Sequence, residues 1–310
     1  MLGVSVIVCA YTLRRWEVLC EGIASIARQT RPVLETIVVV DHNPELLERM
    51  QTHFPGVRAV PNTGGKGSSG SRNTALELAR GELLAFLDDD AIAAPNWLEE
   101  MLRPYDDPNV IGTGGMPTPR WDGGTAPRWL PSEFYWTIGC GYRGLPEQVA
   151  PVRNTIGAAM SFRRSVFERI GGFSLHLGPA MSAPIAHGGG EDTELGIRAL
   201  RAFPGGLVLH VPGALVEHRV PVERTKPGYF GRRCWLEGRT KALMSATVGS
   251  ADGLSSEWTY ALKVLPGGVL HGLRDSLRGD PSGLQRAAAI VAGLALTTAG
   301  YLWGRLTLRR

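Results

Sequence analysis

Three consecutive aspartates, Asp88-Asp89-Asp90, stand at the end of the apolar run Leu83–Leu87. Adjacent carboxylates repel one another unless a cation or hydrogen-bond donors compensate them. Hard oxygen ligands of this kind suit Mg²⁺ or Mn²⁺; the other reading is a solvated acidic turn. A second acidic pair, Glu191-Asp192, follows Gly188-Gly189-Gly190 and opens a helical pattern. Acids in a first helical turn complement the macrodipole, and a carboxylate presented beside a flexible loop can equally serve as a general base. His218, in Val216-Glu217-His218, could add a nitrogen ligand to the same metal, although a lone histidine is more often structural.

A third feature points to phosphate chemistry. Gly65-Lys66-Gly67-Ser68-Ser69-Gly70 matches G-x-G-x-x-G, precedes a helix, and has Asp90 20 residues beyond its last glycine. That supports a dinucleotide-binding reading and an NAD(P)-dependent oxidoreductase. Against it, the loop follows a third strand, and the acid is a triplet where a single ribose-binding residue is expected. Ser71-Arg72-Asn73 also puts a cation at the helix start, suited to a diphosphate.

The elements that must carry these groups alternate. Val4–Cys9, Thr36–Val40, Val57–Val60 and Leu83–Leu87 read as strands, the main ones apolar on both faces. Helical spacing runs from Arg15 to Gln29, from Ser71 to Arg80, and from Pro95 to Leu102. Such alternation predicts an α/β fold with a mostly parallel sheet flanked by helices. In these sheets ligands bind beyond the carboxyl ends of the strands, where Asp41 and the triplet lie. Residues 104–156 show little periodicity. Phe162–Ile170 reads as a short helix, Pro179–Gly190 as a mobile loop, and Glu191–Ala202 as a helix. Leu207–Val211 and Ala214–Val216 read as short strands, and everything past Pro221 as helical.

The chain has 310 residues, 20% of them charged and 44% hydrophobic, which excludes a disordered polypeptide. Its 40 glycines are about twice the usual share of roughly 7%. The net charge of +4 is uneven: residues 1–218 hold 19 Lys and Arg against 23 Asp and Glu, residues 219–310 hold 14 against 6. A basic tail of net +8 on an acidic body suits contact with phosphates or an anionic lipid surface. The four cysteines form no C-x-x-C pair; Cys9 and Cys20 are expected to be buried thiols, consistent with a reducing cytosol. No basic region precedes the first apolar run, so no signal peptide is expected.

Taken in order, these segments resemble the family 2 glycosyltransferases, with their Rossmann-like GT-A fold. The resemblance rests on Val4–Tyr11, Ile37–Asp41, Asn62 with Gly64 through Asn73, Phe86–Asp90 with Asn96-Trp97-Leu98, Gly157–Arg164, Gly171-Gly172-Phe173, and Gly190–Leu195. It covers about residues 3–220. It implies an inverting enzyme that moves a sugar from a nucleotide-diphosphate sugar to an acceptor hydroxyl with a divalent cation, Mg²⁺ or Mn²⁺. Ala10, Tyr11 and Asp41 would hold the nucleoside, Asn62, Gly64 and Arg72 would border the diphosphate, and Asp88 and Asp89 would complete the donor site. Asp90, with His218, would bind the metal, although the run of three leaves open which carboxylate does so. Gly157, Ala158 and Ala159 would floor the acceptor site, and Asp192, beside Glu191, would be the catalytic base.

The same resemblance divides the chain into a catalytic domain, residues 1–220, and a helical basic extension, residues 221–310. Within the first, residues 1–103 would bind the nucleotide sugar and residues 104–220 the acceptor. Processive relatives carry Q-x-x-R-W after the base; here Gly231-Arg232-Arg233-Cys234-Trp235 has cysteine before the tryptophan, so transfer of one or a few sugars is expected. The acceptor is expected to be a carbohydrate, a lipid-linked or a small molecule, and no nucleic-acid partner is expected. Between Arg286 and Arg305 lie 18 uncharged residues, for which three readings stand: a packed helix, a helix on an anionic membrane surface, or a span. The expected location is cytoplasmic, peripheral to the inner membrane face. A degenerate transferase fold acting as a membrane-bound scaffold is the non-enzymatic alternative.

Overall fold

The computed structural model describes residues 2–175, 177, 189–249, 257 and 259–308. Described residues fall into two compact units, one of residues 2–118, 146–175, 177 and 191–218, the other of residues 119–145, 189–190, 219–249, 257 and 259–308.

The first unit is organised by a sheet. Strands β1 (Val4–Ala10), β2 (Glu35–Val40), β3 (Arg58–Pro61) and β4 (Leu83–Asp88) are mutually parallel in the order β3-β2-β1-β4. Next come β8 (Ala159–Arg163), antiparallel to β4, then β6 (Val110–Trp121), β9 (Leu207–Val220) and β5 (Ala91–Ala93), while β7 (Ala150–Pro151) pairs with β9. The sheet is therefore mixed beyond β4. The parallel strands are apolar on both faces because each face has its own core. Val4, Val6 and Val8 join Val38, Val40 and Leu83 on one side; Ile7, Ile37, Val39 and Phe86 lie on the other. Helix α1 (Trp16–Ala27) presents Leu19, Ile23 and Ile26 to the first of these cores.

Helix α2 (Pro44–His53) is capped by the Asn43 side chain, which accepts from the Leu46 N–H. Helix α3 (Ser68–Leu78) begins three residues earlier than its periodicity indicates, and Gly70 lies inside it. A Cβ there would sit 1.6 Å from the Gly65 carbonyl oxygen, so only glycine lets the loop fold onto the helix. Helix α4 (Trp97–Leu102) ends where expected but starts two residues after Pro95, with Asn96 at its cap position. The helix read over Phe162–Ile170 is in fact the end of β8 followed by α5 (Arg164–Ile170). Helix α6 (Glu191–Ala202) has the bounds its sequence predicts. The two short strands expected at 207–216 are one strand, β9, and residues 110–121, expected to be irregular, form β6. Cys9 and Cys20 are only half-buried; Cys140 and Cys234 are the buried thiols. The loop expected at 179–190 lies outside the described residues up to position 188.

The second unit is helical: α7 (Pro227–Val248), α8 (Leu265–Leu277), preceded by a π-turn at Tyr260–Val264, and α9 (Ser282–Thr307). Its core gathers Leu130, Phe134, Phe230, Cys234, Leu265 and Ile290. Helix α9 is long and apolar enough to cross a membrane. One of its faces is nevertheless packed on α7 at backbone distance: a Cβ at Gly238 would lie 2.0 Å from the Thr297 oxygen, and one at Gly300 2.2 Å from the Trp235 oxygen.

Candidate active site

The site assembles at the carboxyl ends of the parallel strands, as sheets of this kind require. Strand β4 delivers Asp88, and the turn after it carries Asp89 and Asp90 back into β5. Strand β5 pairs with β9 so that Ala91 stands opposite His218. This register sets the His218 imidazole beside Asp90, Nε2 to Oδ1 3.2 Å. Ligand atoms of Asp88, Asp90 and His218 all lie within 4.8 Å of one another. Two hard oxygens and one imidazole nitrogen form a donor set that fits a divalent cation. Alternation along β9 is the signal for His218: Ala214, Val216, His218 and Val220 are buried while Leu215 and Glu217 are exposed.

The middle carboxylate has a different partner, one that the sequence reading missed. Arg15 pairs with Asp89 and, at 3.0 Å, with Asp90. Burial works against the Arg15 charge, but the Asp89 and Asp90 carboxylates more than offset it and hold its pKa above the ordinary value. Asp89 is fully enclosed; burial pushes its pKa up to about 7, against the pull of Arg15 and with a further push from Asp90. A signal existed. Cys9 on β1 pairs with Asp88 on β4, so the basic residues just past β1 run alongside the triplet. Arg15 also lies over the ring of Tyr11, which is 45% exposed.

At the ends of β1 and β2, the Asp41 N–H donates to the Ala10 carbonyl (2.7 Å). The Asp41 carboxylate accepts from Asn62 Nδ2 (2.7 Å), from the Gly67 N–H (3.0 Å) and from His42, whose backbone is left-handed at φ 51. Burial alone would raise the Asp41 pKa; donation by Asn62, His42 and Gly67 outweighs it and holds the carboxyl below its usual range. Asn62 also donates to the Gly65 oxygen (3.0 Å) and accepts from the Gly64 N–H (2.9 Å). Asp41, Asn62 and Gly64 are thus one hydrogen-bonded unit that shapes the glycine loop.

Arg72 is buried on α3 and does not face open solvent. It reaches Glu191 Oε1 (3.1 Å) and Asp88 Oδ1 (3.4 Å), and its guanidinium lies 5.2 Å over the Phe173 ring. Glu191 also accepts from Ser68 (3.2 Å), while its other oxygen is buried with no partner among the described residues. The Gly157 N–H donates to Asp192 Oδ2 (3.0 Å), and the Thr193 N–H to Asp192 Oδ1 (2.7 Å). Ala158 accepts from the Asp88 N–H (3.4 Å), and Ala159 pairs with Leu87. The 157–159 segment therefore runs between the triplet and Asp192. The Asp192 pKa is raised to about 6, first by burial and then by the Glu191 charge; Arg72 and the two N–H donors oppose this. A carboxylate so held is ionised at neutral pH and closer to proton-accepting strength than an ordinary aspartate.

The family model for glycosyl transferase family 2 matches residues 5–171. The glucosyl-dolichyl phosphate glucuronosyltransferase of Haloferax volcanii is 32% identical over 312 residues, covering 99% of this chain and 97% of that protein. The succinoglycan biosynthesis protein ExoM of Rhizobium meliloti is 28% identical over 84% of this chain and 80% of its own. Among solved structures, the mannosyltransferase PcManGT of Pyrobaculum calidifontis, in complex with GDP-Man and Mn²⁺, superposes with a TM-score of 0.59 at 18% identity, covering 97% of this chain and 87% of that one. That likeness shows the GT-A fold. The glycine loop that suggested a dinucleotide cofactor follows β3 and is tied to Asp41, and none of these relatives is an oxidoreductase. The chain belongs to glycosyl transferase family 2 and is a glycosyltransferase with a candidate metal site at its acidic triplet.

Proposed function

We propose that this enzyme transfers one sugar, or a few, from a nucleotide-diphosphate sugar to an acceptor hydroxyl with inversion at the anomeric carbon. The observation that carries the reading is the Asp192 carboxylate, fixed at the start of α6 by the Gly157 and Thr193 N–H groups. Asp192 takes the proton of the acceptor hydroxyl as that oxygen bonds to the anomeric carbon and the carbon–oxygen bond to the diphosphate breaks. Arg72 and Glu191 hold the start of α6 against Asp88, so donor and base are positioned by one connected network. Asp88, Asp90 and His218 would hold Mg²⁺ or Mn²⁺, which when bound would offset negative charge on the departing diphosphate. Asp41, with Tyr11 and Ala10, bounds the nucleoside end; Gly157, Ala158 and Ala159 floor the acceptor side. Cys234 is buried within α7, where processive enzymes keep an arginine, in keeping with limited transfer.

The Haloferax relative, by its name, acts on a glucosyl-dolichyl phosphate. A lipid-linked glycan is therefore the acceptor class we infer, and a nucleotide-linked uronic acid the first donor to test. With such an acceptor the enzyme would work at the cytoplasmic membrane face. The deciding experiment is a thermal-shift screen of nucleoside diphosphates and nucleotide sugars with and without Mn²⁺ or Mg²⁺. Stabilisation by one base class that needs the metal supports the reading; stabilisation by NAD(P), or by no nucleotide, overturns it.

A further inference from the structure

The second unit carries an exposed apolar surface. On α8 and the π-turn before it, Leu262, Leu270, Leu273 and Leu277 are all exposed, Leu277 to 89%. At about 100° per residue, Leu270, Leu273 and Leu277 fall within roughly 60° of one another. Arg274 and Arg278 occupy the adjoining sector, and Lys263 lies in the π-turn before the helix. Among the described residues no acid pairs with Lys263, Arg274 or Arg278. The two acids of the α8–α9 hairpin, Asp275 and Asp280, are both held by Arg286, at 2.8 and 3.0 Å. The outer side of α9 continues the pattern: Ala288, Val291, Leu294, Ala295, Leu302 and Trp303 are exposed, with no charge between residues 287 and 304. Because the inner side of α9 is locked onto α7, a helix that bears Arg232, Arg233, Glu237, Arg239 and Lys241, α9 is not placed to cross a bilayer alone.

We propose that the leucine stripe of α8, bordered by its arginines, docks the enzyme flat onto an anionic lipid surface, with the uncharged side of α9 adding to the contact. An exposed leucine row with cations along one edge is the chemistry of an interfacial helix. The leucines enter the acyl boundary while Lys263, Arg274 and Arg278 meet lipid phosphates. The inference supplies the membrane contact that the lipid-linked acceptor reading requires, and it is tested apart from transfer.

The test is flotation of the full-length protein with vesicles of phosphatidylcholine alone or with about a third phosphatidylglycerol, at low and high salt. Wild type should float with the anionic vesicles, and high salt should weaken it. The pair Leu270→Ser/Leu277→Ser should weaken binding about 100-fold, and Arg274→Gln/Arg278→Gln about 30-fold, with less salt dependence. Both pairs lie on the surface, so donor-induced thermal shifts in solution should match wild type. Wild type remaining in the soluble fraction, or either pair floating as well as wild type, overturns the proposal. So does a dimer, seen by light scattering, that the serine pair dissociates while no form binds vesicles, since the face would then join two copies. A protein that binds donor but never floats refutes the docking face alone; one that floats but binds no donor refutes the transferase assignment of the site alone.

Discussion

Replacing Asp192 with asparagine separates chemistry from folding. Its pKa of about 6, against an ordinary 3.8, means the fold prefers the protonated carboxyl. With folded above unfolded, the group's contribution is most favourable at low pH. Stability is lost as pH rises from about 4 through about 6, and no more is lost above that. A two-unit shift corresponds to about 3 kcal/mol as a ceiling; water reaching the half-buried side chain brings the expectation nearer 2 kcal/mol. The substituted amide does not titrate. It also keeps one acceptor where the carboxylate offers two, so either the Gly157 or the Thr193 N–H loses its partner, a pH-independent cost of about 1 kcal/mol. Asp192→Asn should therefore gain on wild type between about pH 5 and pH 8 by roughly 1 kcal/mol. That is a melting-temperature difference of roughly 2–4 °C for a unit of this size. Turnover should fall by about 10²–10⁴, with donor affinity changed less than about twofold. Wild-type turnover should rise with pH through about 6. Differential scanning calorimetry at a series of pH values, beside a sugar-transfer assay, checks both parts. A melting difference that does not move with pH refutes the raised carboxylate, and undiminished transfer refutes its role as base.

Asp90→Asn and His218→Gln should each reduce Mn²⁺-induced thermal stabilisation at least about tenfold in apparent affinity, while Glu217→Gln, on the exposed side of β9, should leave it intact; chelator-treated protein titrated with metal gives the comparison. Arg15→Gln strips the buried Asp89 and Asp90 of their cation and should cost about 3–5 kcal/mol in urea unfolding, with Asp89→Asn in the same chain restoring part of it. Gly300→Ala forces a methyl to within 2.2 Å of the Trp235 oxygen and should destabilise the second unit by about 1–3 kcal/mol, read from denaturation of Trp235 and Trp303 fluorescence.

The elements legible in the sequence are those whose local pattern and tertiary role agree. Val4–Ala10, Glu35–Val40 and Leu83–Asp88 announce themselves because both their faces are buried, and Glu191–Ala202 because its apolar spacing starts after glycines. Strand β6 hides because its sequence, with Gly112, Gly114 and Gly115, has little strand preference. Each glycine is there to admit a neighbour: the Phe162 ring, Thr155 and the Ala214 carbonyl. Strand β8 hides because Ala-Met-Ser-Phe-Arg carries no period of its own and is stabilised by β4 and β6 on either side. At the site, Asp88, Asp90 and Asp192 are visible as carboxylates in telling places. Arg15 is not, because its partners lie more than 70 residues away and only the β1–β4 register brings them near.

The pairing of β5 with β9 has an implication for how this enzyme tolerates change. His218 reaches Asp90 because it is one inward step on a strand that alternates every residue. A single residue inserted between Gly213 and Glu217 would turn each later side chain to the other face. Glu217, now in solvent, would take a place beside Asp90, and a cluster of carboxylates would replace the mixed oxygen and nitrogen set. Loops around the site can lengthen to meet new acceptors, whereas this strand is a ruler whose length is fixed to the residue.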